Sequence, residues 1–376
     1  MDPRVKGLTQ NKMAPIANAA LNKEIQLASH WQVEPIYGGT GGAMGGTALY
    51  KFTGATEDGE PWSAVLKILY ARPDEPTSSP YYWKREYELY RSNLLENLPL
   101  KNFAPPTIYR LEEFPEGCWI WMEFVKKNDH HQWTLNDYEK VGHCLGLFNG
   151  AFLTGNSMPQ EPWLSHFWHC AIIPPLADVF DNLEKHLEHP LNQTALPLEE
   201  KDTILDLWQM RDRFREVLFK LPQTLCHYDA FNLNIFKSAD RMMLIDWALV
   251  GRGVVGEELV CLIAVSLFYG ENQSISYDQL DQAVFNAYIL GLQDAGWQGD
   301  PNLARLGYLC GMVLRGLAGV KQDLLSLEDQ NSHAALKRNL KIDTLEEIAA
   351  FFANIRRFRL IKMGKEALEL LEKLGL

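Results

Sequence analysis

The feature that most constrains this chain is a polar island between apolar segments, which reads LCHYDAFNLNIF and continues into RMMLIDWALVGRG. It places His227, Asp229 and Asn234 in the spacing H-x-D-x-x-x-x-N, and Asp246 ends an apolar run 12 residues after Asn234. Carboxylate and amide oxygens suit Mg²⁺, which takes one or two carboxylates and relies on substrate phosphates for the rest. The pattern therefore predicts a magnesium site in which one aspartate can serve as a base. The alternative is a polar loop whose Asp and Asn residues cap helices.

A glycine-rich segment, GGTGGAMGG, occupies residues 38–46 between two predicted strands. Its glycines, among them Gly41, Gly42 and Gly45, allow backbone N–H groups to approach phosphates closely. No G-K-[ST] follows, so the segment is not a Walker A loop, and no G-x-G-x-x-G opens a helix. We predict a flap over nucleotide phosphates, and the alternative is a mobile surface hairpin.

Lys67 is a single charged residue within the apolar strand SAVLKIL. Burial of an ammonium group is costly unless a carboxylate pairs with it. The predicted partner is Glu86, in the helical segment YYWKREYELY, and such a pair would direct the ammonium toward nucleotide phosphates. The alternative is a lysine that extends from an edge strand into solvent.

The order of apolar patterns predicts two domains after an N-terminal extension of residues 1–30. Residues 31–125 alternate apolar and polar positions around turns, with one helix predicted over 81–98. Residues 126–376 show mainly helical spacing, including a helix that begins after Thr134, and they contain the polar island. Two domains agree with a length of 376 residues at roughly 150 residues per domain. The predicted fold class is therefore α+β, with a small β-rich part and a larger helical part.

The composition excludes several classes of partner. The chain has 36 Lys and Arg against 48 Asp and Glu, a net charge of −12, which argues against nucleic acid and against an anionic membrane surface. This charge suits a cationic substrate or a metal-bound anion, although many cytosolic proteins are simply acidic. Six scattered cysteines are expected to be free thiols. The start of the chain lacks the apolar core of a secretory signal, and we expect a cytoplasmic protein.

Taken in order, these segments resemble the aminoglycoside-phosphotransferase branch of the protein-kinase-like superfamily. The resemblance covers almost the whole chain after about residue 31. It includes GGTGGAMGGTALYKFTG as the flap, WSAVLKIL as the lysine strand, YYWKREYELYRSNLL as the glutamate helix and WIWMEFV as the hinge. HYDAFNLN and LIDW are similar to the catalytic and metal loops. The resemblance implies a bilobal kinase-like fold, with a β-rich N-lobe over 31–125 and a helical C-lobe over 126–376.

The same resemblance implies a role for each candidate residue. Asp229 would orient and deprotonate the acceptor hydroxyl, and Asn234 and Asp246 would hold Mg²⁺. Lys67 and Glu86 would place the α- and β-phosphates of ATP.

Further implied contacts concern the adenine and the acceptor. The backbone around Glu123 and Val125 would bind adenine in the hinge. Tyr228 departs from the family pattern, because Gly is common at this position. The helices over 257–330 are expected to line the acceptor pocket, and they offer four candidate carboxylates: Asp278, Asp281, Asp294 and Glu328. The alternative for each of them is a solvated residue on a helix surface.

The resulting prediction is an ATP- and Mg²⁺-dependent phosphotransferase that moves the γ-phosphoryl group to a hydroxyl of a small molecule. An aminoglycoside-like antibiotic, a sugar or an amino alcohol would serve as acceptor. One alternative is a Ser/Thr kinase of peptides, but no Arg precedes Asp229 and no A-P-E-like segment follows it. The other alternative is a pseudokinase scaffold, which the complete set of candidate residues disfavours. The sequence makes no prediction of the oligomeric state.

Overall fold

The computed structural model describes residues 2–36, 46–100, 102–126, 132–237, 242–268 and 275–376. The chain divides into two compact units. Unit 1 comprises Met1–Asp129 and Ile235–Ala248, and unit 2 comprises His130–Asn234 and Leu249–Leu376. The predicted glycine flap, with Gly41, Gly42 and Gly45, lies outside the described residues.

Unit 1 contains an antiparallel sheet whose described strands follow the order β1-β2-β3-β6-β5. The central strand β3 is buried over most of its length, which explains why its sequence is a continuous apolar run. Lys67 lies in this strand, opposite Leu49 of β2 and Ile120 of β6. The strand bounds are β1 Leu27–Ile36, β2 Thr47–Thr56, β3 Pro61–Tyr70, β5 Ile108–Phe114 and β6 Gly117–Met122.

The N-terminal extension is part of unit 1. Its residues form two helices, α1 (Pro3–Lys6) and α2 (Gln10–Leu21). Met13 and Ile16 of α2 are buried in the same apolar cluster as Leu66 of the sheet. The sequence suggested no role for these residues. In the structure they cover an apolar face of the sheet that would otherwise be exposed.

A second, smaller sheet of unit 1 is formed by chain segments far apart in sequence. Its described strands follow the order β4-β10-β9, and β10 runs parallel to β4, with Met242 opposite Phe103. Because β10 pairs with β4, residues 235–248 lie in unit 1. The sequence had placed them in the C-lobe. The bounds are β4 Phe103–Ala104, β9 Ile235–Lys237 and β10 Met242–Leu244; two helices, α3 (Arg85–Arg91) and α4 (Leu94–Asn97), complete the described part of the unit.

Unit 2 is mainly helical around a short sheet with the strand order β7-β11-β8. Its first helix, α5 (Leu135–Leu153), begins at the predicted N-cap Thr134, which forms a reciprocal capping box with Asp137. Gly146 of α5 allows close helix packing, since a Cβ there would lie 2.2 Å from the carbonyl oxygen of Tyr288. The strand bounds are β7 Ser165–His166, β8 Gln223–Cys226 and β11 Gly251–Val254.

The remaining helices of unit 2 agree with the mainly helical spacing predicted for residues 126–376. In chain order they are α6 Trp168–Ala171, α7 Ala177–Asp181, α8 Leu183–His186, α9 Pro190–Ala195, α10 Leu198–Gln209, α11 Arg211–Lys220, α12 Leu259–Phe268, α13 Tyr277–Asp294, α14 Pro301–Glu328, α15 Gln330–Leu340, α16 Leu345–Arg356 and α17 Met363–Leu374. A 3₁₀ turn spans Pro174–Leu176, and a π-helical segment, Arg357–Lys362, joins α16 to α17. The predicted α+β fold class is confirmed.

One helix in the described part of the chain, α14, is long and apolar enough to cross a membrane by length and composition alone. Its most apolar window is 72% buried inside the protein, as is usual for a core helix. All six cysteines are free and buried, as the sequence predicts.

Candidate active site

Lys67 lies at the centre of the candidate site in unit 1. Its Nζ is 2.5 Å from Oε2 of Glu86 on α3 and 2.8 Å from Oδ1 of Asp246, which follows β10. The predicted pairing of Lys67 with Glu86 is therefore present. Asp246 completes a three-residue ionic group within one unit, and the sequence alone did not indicate its contact with Lys67.

Burial and charge act in opposite directions on this group. Burial disfavours the charged ammonium, but the carboxylates of Asp246 and Glu86 outweigh it and raise the pKa of Lys67. Burial, followed by the negative charge of Asp246, raises the pKa of Glu86 against the opposing effect of Lys67. Lys67 is therefore protonated at neutral pH. The Asp246 side chain is 38% exposed, against 8% for Lys67 and 2% for Glu86, so Asp246 is the member that solvent or a ligand can reach.

Neighbouring side chains fix the ionic group in place. The Tyr90 hydroxyl lies 3.4 Å from Oε1 of Glu86, and the backbone N–H of Trp247 donates to the same carboxylate. The fully buried Arg85 donates from Nη1 to the carbonyl oxygen of Ala248 at 2.8 Å. These contacts join α3 to the segment that carries Asp246. Arg85 and Tyr90 were not among the predicted site residues, although both lie within four residues of Glu86.

In unit 2, Asn234 holds the predicted base Asp229. Nδ2 of Asn234 donates to the carbonyl oxygen of Asp229 at 2.9 Å and to its Oδ2 at 2.7 Å. The Cys261 thiol of α12 lies 3.4 Å from the other carboxylate oxygen, Oδ1. The carboxylate orientation is thus fixed by neutral donors.

The loop before Asp229 is anchored on two buried glutamates, beginning with Glu258. This side chain accepts the backbone N–H of His227 at 2.6 Å and that of Tyr228 at 3.1 Å. Burial raises the pKa of Glu258 to about 8, although both hydrogen bonds lower it. A buried carboxyl that accepts two consecutive backbone amides fixes the position of the residues on either side of Tyr228.

Glu257 anchors the side chain of Tyr228. The Tyr228 hydroxyl lies 3.0 Å from Oε2 of Glu257, and Nδ1 of His169 lies 2.7 Å from Oε1. Tyr228 has φ +65°, in the left-handed region that glycine adopts most easily. The departure from the family pattern is therefore accommodated, since the buried side chain of Tyr228 gains a hydrogen-bond partner.

The predicted hinge residues follow β6 in unit 1. The backbone N–H of Glu123 donates to the carbonyl oxygen of Thr107 at 2.9 Å, and the Glu123 carboxylate accepts the Thr107 hydroxyl at 2.9 Å. Adenine recognition at this position would therefore use the carbonyl oxygen of Glu123 together with the backbone of Val125. This role stays a prediction.

The four carboxylates proposed for the acceptor pocket all have partners within the protein. Asp281 forms two 2.8 Å contacts with Arg305. The other contacts join Asp278 to Lys362, Asp294 to His143 and Glu328 to His186. Asp278 and Asp281 are thus engaged in ion pairs, and Asp294 and Glu328 each contact a histidine nitrogen.

The two predicted magnesium ligands fit the chemistry of that ion. Asn234 uses its amide nitrogen toward Asp229, so its amide oxygen is the end not used in those bonds. Asp246 supplies partly exposed carboxylate oxygen. Over the described ranges, no group of three or more His, Cys, Asp or Glu side chains could hold a metal ion. A magnesium ion would therefore depend on few protein ligands and on phosphate oxygens.

Comparison with a family model gives a match over one segment of the chain. Residues 170–298 match the phosphotransferase enzyme family, and this range includes Asp229, Asn234 and Asp246. The segment is that of a phosphotransferase. The predicted resemblance to this phosphotransferase family and the prediction of a kinase enzyme are thereby confirmed.

Solved structures confirm the kinase-like fold of this phosphotransferase. An amicoumacin kinase, hAmiN, solved with AMP-PNP, Ca²⁺ and Ami, is 14% identical, with 93% of this chain and 97% of that chain covered and a TM-score of 0.51. A choline kinase from Cryptosporidium parvum is 13% identical, with coverages of 92% and 91% and a TM-score of 0.52. No curated protein matches the chain.

Proposed function

We propose that this phosphotransferase moves the γ-phosphoryl group of ATP to a hydroxyl of a small molecule. The observation that carries the proposal is the contact of buried Lys67 with both Glu86 and Asp246. Lys67 and Asp246 are 179 positions apart in the sequence. Their contact compensates the ammonium charge of Lys67, which would otherwise be unfavourable to bury. Asp229 and Asn234, which lie within the range that matches the family model, are proposed as the second part of the machinery.

Unit 1 provides the charge for the nucleotide. Phosphoryl transfer passes through a loose transition state, so positioning and electrostatic stabilisation contribute most of the catalysis. Glu86 and Asp246 hold the Lys67 ammonium protonated and in a fixed position, from which it can bind phosphate oxygens. Mg²⁺ would neutralise the charge of the triphosphate, with Asp246 and Asn234 as its protein ligands.

Unit 2 provides the base. As the acceptor oxygen forms its bond to the γ-phosphorus, the bond between that phosphorus and the β,γ-bridging oxygen breaks and ADP leaves. The proton of the acceptor hydroxyl passes to the carboxylate of Asp229. Asn234 and Cys261 hold that carboxylate, which would receive the proton without rotation of the side chain. Orientation of this kind contributes to the rate by pre-organisation.

A small-molecule acceptor is favoured over a peptide by the comparisons. The two solved relatives are named as kinases of amicoumacin and of choline, both small molecules. The proposal includes ATP as the phosphoryl donor and Mg²⁺ as the metal ion. Adenine would bind at Glu123 and Val125, and the phosphates would bind under the flap glycines Gly41, Gly42 and Gly45. A cytoplasmic location is also proposed.

Nucleotide binding tests the role of Asp246. Asp246→Ala should abolish Mg²⁺-dependent binding of AMP-PNP in calorimetry, because it removes a metal ligand and one partner of Lys67. Asp74→Ala, at an exposed aspartate of unit 1, is the matched control and should bind as the wild type does. Unchanged affinity in Asp246→Ala would contradict the assignment. The wild type should hydrolyse ATP slowly in the presence of Mg²⁺. A non-catalytic scaffold should show no hydrolysis.

A further inference from the structure

Two arginines of unit 2 lack carboxylate partners. Arg315 lies in the middle of α14, and Arg359 lies in the π-helical segment. Within the described ranges, neither forms an ion pair, and Nη1 of Arg315 and Nε of Arg359 are buried without a hydrogen-bond partner. A buried guanidinium nitrogen without an acceptor is unfavourable, so an acceptor supplied by a ligand would stabilise it.

The two guanidinium groups lie against the same face of α14. Arg315 and Gly319 are four residues apart and therefore share that face. A Cβ on Gly319 would lie 3.8 Å from Nη2 of Arg359, so the absence of a side chain there leaves room for the guanidinium. Arg315 lies over the ring of Trp168, 5.3 Å from its centroid. Burial, followed by the nearby charge of Arg315, lowers the pKa of Arg359 to about 10, which leaves it charged at neutral pH.

The arginine pair lies close to the predicted base. The Cys261 thiol contacts Asp229 and lies near enough to Arg315 for the positive charge to act on its pKa. The same thiol and Arg359 influence one another electrostatically. Cys261 therefore lies near both the carboxylate that would accept a proton and the two unpaired cations.

Two acidic groups, Asp323 and Glu257, lie near the pair but make their hydrogen bonds and ion pairs with other residues. Asp323 forms an ion pair with Arg356 at 3.0 Å, so it already has a cation of its own. Glu257 is occupied by His169 and Tyr228. The four carboxylates on α13 and α14 that could have received a cationic acceptor are engaged elsewhere, as described above. Within the described residues, neither Arg315 nor Arg359 has a carboxylate at ion-pair distance, although the net charge of the whole chain is −12.

We propose that Arg315 and Arg359 bind an anionic group of the acceptor, a carboxylate or a phosphate, while Asp229 takes the proton from its hydroxyl. The inference rests on the proposed kinase function and names the class of its acceptor. Guanidinium groups bind carboxylates and phosphates with paired, directional hydrogen bonds, which suits two half-buried arginines on one face. A π-helical segment is a frequent feature of functional sites, and it is this segment that presents Arg359.

The acceptor class can be tested by ligand-induced stabilisation. The probes are glycerate as a hydroxy-carboxylate, glycerol 3-phosphate as a hydroxy-phosphate and choline as a cationic alcohol. Each is added to the full chain with and without saturating Mg²⁺–AMP-PNP, and the thermal midpoint is followed because a bound ligand raises it by mass action. The variants are Arg315→Gln and Arg359→Gln. Arg357→Gln is the matched control, since Arg357 lies in the same segment but is exposed and paired with Glu200.

We expect at least one of the two anions to stabilise the wild type and the control, and choline to have no effect. Each of the two test variants should bind that anion at least tenfold more weakly. Without any probe, both test variants should melt at or above the wild-type midpoint, because each loses an unpaired buried charge. A comparison of the shifts in thermal midpoint caused by glycerate and by glycerol 3-phosphate identifies whether a carboxylate or a phosphate is bound.

Three results would overturn the inference: no response of the wild type to either anion, an equal response in the wild type and both test variants, or stabilisation by choline alone. If the wild type did not bind Mg²⁺–AMP-PNP, that result would instead contradict the proposed function. Normal nucleotide binding without an anion response would reject only the acceptor class.

Discussion

The two units hold their key carboxylates by different physical means. In unit 1, Asp246 and Glu86 are held by a buried ammonium, and their charges compensate within the protein. In unit 2, Asp229 is held by neutral donors, an amide and a thiol, and its loop is anchored through backbone N–H groups on Glu258. The cations near Asp229 have no carboxylate partners in the described residues.

Because of this difference, substitutions in the two units should affect different properties: folding stability in unit 1 and turnover in unit 2. Removal of one member of a buried ion pair leaves an uncompensated charge, so changes in unit 1 should affect folding and nucleotide binding together. Removal of Asp229 deletes a reactive group whose hydrogen-bond donors are neutral, so turnover should change while stability changes little. The variants below test that distinction.

The largest expected effect is on turnover in unit 2. Asp229→Ala should lower kcat by roughly 10²–10⁴-fold, the usual contribution of a positioned acid–base group, with little change in thermal midpoint. Steady-state kinetics with an identified acceptor would measure it. Asp212→Ala, at an exposed aspartate of the same unit, should keep full activity. Near-full turnover in Asp229→Ala would count against the role of this residue.

Lys67→Met should destabilise the chain by about 3–5 kcal/mol, because Glu86 and Asp246 lose the cation that compensates them. The double variant Lys67→Met with Glu86→Gln should recover much of the stability but none of the nucleotide affinity. Urea unfolding of the two single variants and the double variant gives the coupling free energy. If the losses of unfolding free energy in the two single variants added up to the loss in the double variant, Lys67 and Glu86 would not be energetically coupled. The proposed difference between the two units would then be wrong.

Glu258 should make stability depend on pH in unit 2. Its carboxyl keeps a proton in the folded protein up to about pH 8, whereas the unfolded chain releases it above the ordinary value near 4.5. The free energy of unfolding should therefore fall as pH rises through this window, by about 1.4 kcal/mol per unit, and fall no further above pH 8.

The measurement is urea unfolding at pH 6.5 and pH 8, where the expected loss is about 2 kcal/mol. Burial also raises the pKa of Asp323, to about 6, so its titration lies below this interval. Glu258→Gln should abolish the loss and Asp323→Asn should retain it. An equal loss in Glu258→Gln and the wild type would exclude Glu258 as the titrating group.

The smallest expected effect concerns Tyr228. Tyr228→Phe removes the hydroxyl that Glu257 accepts and should destabilise the chain by about 1 kcal/mol, with turnover reduced less than tenfold. Thermal unfolding and kcat together would measure this. A loss of turnover as large as that of Asp229→Ala would mean that the Tyr228 hydroxyl takes part in the reaction itself.

Local sequence patterns were sufficient for most elements. The apolar run around Lys67 identified β3, and Thr134 marked the start of α5, because strand burial and helix capping depend on neighbouring residues. The pairing of Lys67 with Glu86 was predictable for a related reason, since a buried ammonium requires a nearby carboxylate. The N-terminal helices were missed, because their partners lie in strands much further along the chain.

The sequence by itself determined which residue types are available for phosphoryl transfer: a lysine in a buried strand, an aspartate and an asparagine in one loop, and an aspartate after a short apolar strand. Only the tertiary structure decided that β10 pairs with β4 and brings Asp246 to Lys67. It also decided that Arg359 of the π-helical segment lies against the face of α14 that carries Arg315, with no carboxylate of the described residues ion-paired to either arginine. These contacts join residues far apart along the chain. Spacing within a segment reports the chemistry of that segment, whereas the balance of charge at a site depends on every segment that packs there.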